Sequence, residues 1–190
     1  MAFFAQVLVI IYPPVFVFWL VFHTRIDEWR KIGKRAYWFA CLGWPLISGP
    51  LLFFRRSIFS IQWSMPWWTI ATGLLAISAA VRVGSQAARS ISHRTLIGLV
   101  ELEAEHNPQP ILQTGIYSKT RNPIYFTHFL LIFAAAAISG YAANWIFVGI
   151  DIVFLTILLR VEEKELIARY GSEYQDYMRR VPRLVPRWPW

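Results

Sequence analysis

At 190 residues, with 56% hydrophobic and 17% aromatic side chains against 16% charged, the chain is richer in apolar groups than a soluble domain of this length needs, and it reads as an integral membrane protein. Its net charge of +8 comes without a basic stripe interleaved with exposed aromatics, which favours membrane topology and anionic headgroups and argues against a nucleic-acid partner. The expected fold class is all-α: an integral membrane helical bundle of about five transmembrane helices with a cytoplasmic amphipathic helix at its C-terminal end.

In chain order, the apolar segments cover residues 3–22, 36–54, 66–83, 124–139 and 144–159. The last two are shorter than the roughly 20 residues a helix needs to cross a hydrocarbon core, so they are expected as a helical hairpin turned at SGYAAN. The first has no basic residue ahead of it, holds Pro13 and Pro14 in its middle and meets its first charge at Arg25, so it does not read as a cleaved signal peptide. Lys and Arg are retained on the cytoplasmic side of short loops. Arg25, Arg30, Lys31, Lys34 and Arg35 crowd the first loop, Arg55 and Arg56 alone occupy the second, Arg82, Arg89, Arg94, Lys119 and Arg121 mark the third, and the turn near Gly140 has no charge. With the basic stretch from Arg160 onward, this alternation sets the N-terminus outside and the C-terminus in the cytoplasm. The whole is expected as one domain, residues 1–83 a three-span scaffold and 84–190 the catalytic loop, hairpin and tail.

Cys41, the only cysteine, falls within the second apolar segment and reads as packing. His23, His93, His106 and His128 are scattered rather than clustered, so no metal is expected. The stretch LVELEAEHNPQP alternates apolar residues with Glu101, Glu103 and Glu105 before a Pro-rich turn, as an extended piece or a helix end with a solvated acidic face.

The stretch SKTRNPIYFTHFLL, residues 118–131, is more pointed. Asn122 can cap the helix that follows, and Pro123 fits its first position, where a missing N–H costs nothing. Free N–H groups at a helix start attract anions, and Arg121 adds a guanidinium fork suited to a carboxylate or phosphate. Farther on, Asp151 sits in the middle of the fifth segment, where an ionisable group faces the bundle interior or a wet cavity. Glu162 lies eleven residues later, close to three turns, and so shares its face; Arg160, nine residues from Asp151, is half a turn out of phase. Glu162 and Glu163 point about 100 degrees apart, so only one can be fully inward. The helix should continue to Gly171, and a second should start at Ser172 with Gln175 completing a capping box. Tyr170, Tyr174, Tyr177 and Val181 recur at helical spacing, as a face that packs on the membrane surface or closes a pocket from the cytoplasm.

Taken together, ILQTGIYSKTRNPIY and, about 35 residues later, RVEEKELIARYGSEYQDYMRRVPRLVP resemble the catalytic end of the integral membrane methyltransferases that include isoprenylcysteine carboxyl methyltransferase and the phospholipid N-methyltransferases. The resemblance covers about the last 80 residues and implies S-adenosyl-L-methionine as cofactor, bound without a Rossmann domain between the loop, the hairpin start and the helix leaving the membrane. By position it implies that Leu112, Gly115 and Tyr117 line the cofactor, that Arg121, Asn122 and Tyr125 hold its helix-start side, and that Glu162 and Glu163 meet its amine or ribose. Two positions depart from the isoprenylcysteine pattern: Asn122 stands where His is usual, and Gln109 stands where a His precedes Gly-x-Tyr.

The partner implied is a membrane lipid or lipidated substrate. If the acceptor is a carboxylate, Arg160 would orient it; if it is an amine, Glu163 becomes the candidate base. A nicotinamide-dependent membrane reductase of the sterol reductase type shares a similar C-terminal pattern but is longer, and a non-enzymatic membrane scaffold is the third reading.

Overall fold

The computed structural model describes residues 2–102 and 110–187. Seven helices carry the architecture: α1 Ala2–Thr24, α2 Ile26–Ile32, α3 Ala36–Phe53, α4 Trp67–Ser90, α5 Pro123–Ser139, α6 Ala142–Tyr170 and α7 Ser172–Arg180. Among the described residues there is no strand, only an isolated bridge between Gln62 and Tyr141. The all-α membrane bundle is therefore the architecture observed.

The five apolar segments all form helices, but their capacity to span differs. Gln6–Thr24, Trp67–Ser90 and Ala142–Tyr170 are long and apolar enough to cross a membrane. Ile26–Phe39 and Cys41–Phe53, bent by 42°, make a fourth span if the pair is taken as one. Pro123–Ser139, at 17 residues, is apolar but short. The fourth segment is thus as short as its sequence predicts, and it ends at Gly140, which adopts a left-handed conformation (φ 73°) that only glycine takes without cost.

Small residues set the closest helix contact. Gly73, Ala76, Ala80, Val83 and Ala87 form the buried stripe of α4, and α5 answers with Ala134 to Ala137. A Cβ on Gly73 would lie 2.5 Å from Ile138 Cγ1, and one on Gly84 3.1 Å from Thr127 Cγ2, so the backbones approach as small-residue stripes allow in lipid. Helix α1 packs against α6, α5 and α3. Phe16, Ile132, Val148, Leu155 and Leu158 fill the centre, while Leu42, Leu46, Phe53, Leu75 and Val153 remain exposed, the surface expected where hydrocarbon is the solvent. Cys41 is exposed on α3 and so does not pack inside.

Two terminal details differ from the sequence expectation. Asn122 does precede α5, and Pro123 is its first residue, but the Asn122 side chain does not cap the helix. Its Nδ2 donates instead to the Arg183 carbonyl at 2.8 Å. Gly171 (φ 59°) ends α6 as expected, and it also precedes α7, so Ser172 is already helical and makes no capping bond.

After α7 the chain turns back along residues 119–122. The Arg121 N–H donates to Pro182 O at 3.0 Å, the Arg187 N–H to Lys119 O at 3.0 Å, and Thr120 Oγ1 to Leu184 O at 2.8 Å. Thr120 is fully buried beneath this strap.

Candidate functional site

A cavity of about 490 Å³ opens where four parts of the chain converge. Trp19 and His23 come from the end of α1, and residues 90–101 with Pro110 to Leu112 form a second wall. Tyr117, Arg121, Asn122 and Tyr125 come from the turn and the start of α5, with His128 one turn deeper. Glu162, Leu166, Arg169 and Tyr170 come from α6, and Tyr174 and Tyr177 from α7. The three-four spacing of Glu162, Leu166 and Arg169 keeps one face of α6 turned inward past the apolar core.

Of the residues the sequence singled out, Leu112, Tyr117, Arg121, Asn122, Tyr125 and Glu162 meet in this cavity. Gly115 does not line it; it opens the tight turn Gly115–Ser118 with φ 59° and is exposed. Gln109 lies outside the described residues, as do Glu103 and Glu105. Arg160 is exposed and away from the lining, as its half-turn offset from Asp151 requires, so it is not positioned to orient an acceptor there.

Glu163 is the main departure. It is buried but turned from the cavity, and both of its oxygens are occupied: Arg121 Nη2 approaches Oε1 at 2.8 Å, while Arg183 donates through Nε (2.9 Å) and Nη2 (2.6 Å). A carboxylate held by two guanidiniums does not serve as a base, and the candidate role assigned to Glu163 from the sequence is corrected accordingly. Its neighbour Glu162 is the inward member of the pair, with Oε2 enclosed and unpartnered. Arg121 spends Nη2 on Glu163 and keeps Nε and Nη1 enclosed without a partner. Two residues of the cavity lining, Arg121 and Glu162, thus carry enclosed polar atoms without partners.

The aromatic wall is fixed by packing and one strong bond. Tyr174, Tyr177 and Val181 form a small core with Ile111, Leu166 and Tyr170, and the Tyr177 hydroxyl donates to the Tyr117 carbonyl at 2.6 Å. Burial, followed by the charge of Glu162, pushes the Tyr117 hydroxyl up to about 12. Burial also raises Tyr174 and Tyr177, so all three phenols stay neutral across the physiological range.

A charged network borders the cavity that the sequence did not reveal. Glu165 accepts from His23 Nδ1 (2.8 Å), Arg169 (2.7 Å) and Arg30 (3.2 Å); Arg169 also pairs with Glu101 (2.6 Å), and Arg30 Nε donates to the Glu101 carbonyl (3.1 Å). Glu101 is thus an ion-paired cavity residue rather than part of a solvated face. The available signal was the inward face of α6, on which Arg169 follows Glu162 by seven residues. Among the described residues, no three His, Cys, Asp or Glu side chains gather as a metal site would require.

Comparison with known proteins converges on one family. Residues 67–173 match the family described as phospholipid methyltransferase. Methanethiol S-methyltransferase of Crocosphaera subtropica is 29% identical over 101 residues, 50% of this chain and 39% of that protein. Methanethiol S-methyltransferase 2 of Bradyrhizobium diazoefficiens is 33% identical over 106 residues, 51% of this chain and 39% of its own length. The Mycobacterium tuberculosis methanethiol S-methyltransferase is 28% identical over 104 residues, 52% of this chain and 41% of its own. The match thus spans about two fifths of these curated relatives. No solved structure matches the chain.

Proposed function

The chain belongs to the phospholipid methyltransferase family, and on that premise we propose that it transfers a methyl group from S-adenosyl-L-methionine to a lipid-like acceptor at the membrane interface. One observation carries the reading: Arg121, with two enclosed idle donor nitrogens, and Glu162, with an enclosed idle oxygen, line the same cavity. Buried polar groups without partners are costly, and a ligand bearing both a carboxylate and an ammonium would satisfy both. S-adenosyl-L-methionine is such a zwitterion, and the cavity volume lies within the usual range for small-molecule sites.

When bound, that cofactor supplies an electrophilic methyl on a sulfonium. Arg121 would hold the carboxylate, with Glu163 steadying its guanidinium from behind, and Glu162 would take the ammonium. Tyr117, Tyr174 and Tyr177 would exclude water, and the ring of Tyr125 would offer its face to the cation. In-line displacement asks the protein mainly to align its reactants, which can be worth roughly 7–11 kcal/mol of barrier. The Lys and Arg distribution supports a cytoplasmic position for this end of the bundle, where a water-soluble donor would be available.

The names of the relatives favour a second acceptor class, a small thiol, within the same chemistry. Titration calorimetry of the detergent-purified protein with S-adenosylhomocysteine and with NADPH tests the donor. Binding of the first alone is expected. Saturable binding of NADPH alone would replace the reading with a reductase, and binding of neither would favour a scaffold. Radiolabelled S-adenosylmethionine incubated with a total lipid extract, and separately with alkanethiols, identifies the species that gains label.

A further inference from the structure

His128 is a titratable residue of the cavity lining to which the donor reading gives no role. His128 stands three residues past Tyr125, one turn deeper on the same face of α5, and lines the cavity. Its ring packs edge-on against Tyr12 (5.2 Å, 74°) and Phe16 (6.4 Å, 79°) of α1. Nδ1 is enclosed with no hydrogen-bond partner. An ionisable group kept at that depth without a partner is expensive, and that expense marks function more often than packing.

The other titratable groups are engaged. His23 is bonded to Glu165, Glu101 is paired with Arg169, and Glu163 faces away between two arginines. Glu162 is reserved for the ammonium under the reading above, and the tyrosines at 117, 174 and 177 are held neutral. Among these groups, His128 keeps a ring nitrogen without a partner and has no part in holding the donor.

We propose that His128 is the general base of the reaction, and hence that the methyl acceptor is a nucleophile that carries a proton, a thiol or an amine, rather than a carboxylate. This rests on the methyltransferase reading. In the step, the acceptor's S–H or N–H bond breaks and its proton passes to the His128 imidazole. The freed electron pair forms the new bond to the methyl carbon, while the methyl–sulfonium bond breaks and its electrons stay on the donor sulfur. A carboxylate acceptor, already ionised, would leave His128 with nothing to do.

The test uses the full-length protein in detergent, with His128→Gln, which matches the ring roughly in size but accepts no proton, and His128→Ala. S-adenosylhomocysteine affinity by calorimetry should stay within about twofold of wild type in both. Methyl transfer to butanethiol, to dispersed phosphatidylethanolamine, or to both should fall by about 10²- to 10⁴-fold, the usual range for a lost general base. Added imidazole should restore part of the His128→Ala rate. Label on butanethiol alone would identify a thiol acceptor, and label on the lipid alone an amine. Unchanged transfer in both variants, cofactor affinity falling in step with transfer, or a prenylated cysteine carboxylate as the sole wild-type acceptor would each overturn the assignment. A wild-type protein that binds no S-adenosylhomocysteine would overturn the methyltransferase reading itself, a separate and recognisable failure.

Discussion

Glu162 and Glu163 are consecutive in α6 yet serve opposite surfaces: the first looks into the cavity with an oxygen unpartnered, the second is clasped from behind by Arg121 and Arg183. The roughly 100 degrees between them divides one acidic pair into a cavity-lining member and a strut.

Their substitutions should therefore separate. Glu163→Gln leaves Arg121, itself only 6% exposed, without its counter-charge and should cost about 3 kcal/mol of stability, with Arg183, at 40%, adding little. Glu162→Gln should leave the melting curve nearly unchanged and weaken S-adenosylhomocysteine about 10- to 100-fold, the loss of one charge-assisted bond. Thermal melting in detergent and calorimetry on the two variants check the pair; equal effects on both readouts would contradict the division.

Tyr177→Phe removes a single hydroxyl. The Tyr117 carbonyl then loses its 2.6 Å donor, and the turn that carries Tyr117 loosens from α7. The expected cost is about 1 kcal/mol in stability, with ligand affinity reduced about fivefold. Denaturant melts with and without S-adenosylhomocysteine would show it.

Glycines on the hairpin give opposite signs. Gly140→Ala meets a left-handed backbone and places a Cβ 2.6 Å from the Trp63 carbonyl, a backbone atom that cannot swing aside, so about 3 kcal/mol should be lost. Gly149→Ala sits inside α6 with nothing within 4 Å and should gain about 0.5–1 kcal/mol from helix propensity. Melting temperatures of the two variants, measured side by side, decide it.

Alkaline pH should undo the aromatic wall. Tyr117, Tyr174 and Tyr177 all have folded-state values raised above the ordinary phenol value of about 10, Tyr117 to about 12. Below pH 10 the phenols are neutral whether folded or unfolded and contribute no pH dependence. As pH rises from 10 toward 12 the unfolded chain ionises while the folded one resists, so stability falls through that window. Tyr117→Phe should flatten the fall.

Much of the framework was legible. Unbroken apolar runs announced the helices, Asn122-Pro123 and Gly171 marked the ends of α5 and α6, and the spacing of Tyr170, Tyr174 and Tyr177 foretold an aromatic face that lines the cavity. The eleven-position separation of Asp151 and Glu162 puts both on the inner face of α6, where both are found. What stayed hidden depends on contacts between distant parts of the chain. His23 bonds Glu165 across 142 positions and Arg169 meets Glu101 across 68, and no local periodicity encodes such pairs. The same limit made Glu163 look like a reactive group, because its partner Arg183 lies beyond the end of α7.

The strap at residues 181–187 touches the loop at Lys119, Thr120, Arg121 and Asn122 and supplies one of the two arginines that clasp Glu163. These residues follow α1 to α7 in the order of synthesis. A nascent chain lacking the strap would keep the Arg121–Glu163 pair but leave one Glu163 oxygen without Arg183. The clasp on Glu163 therefore closes only after the helices it braces have been made.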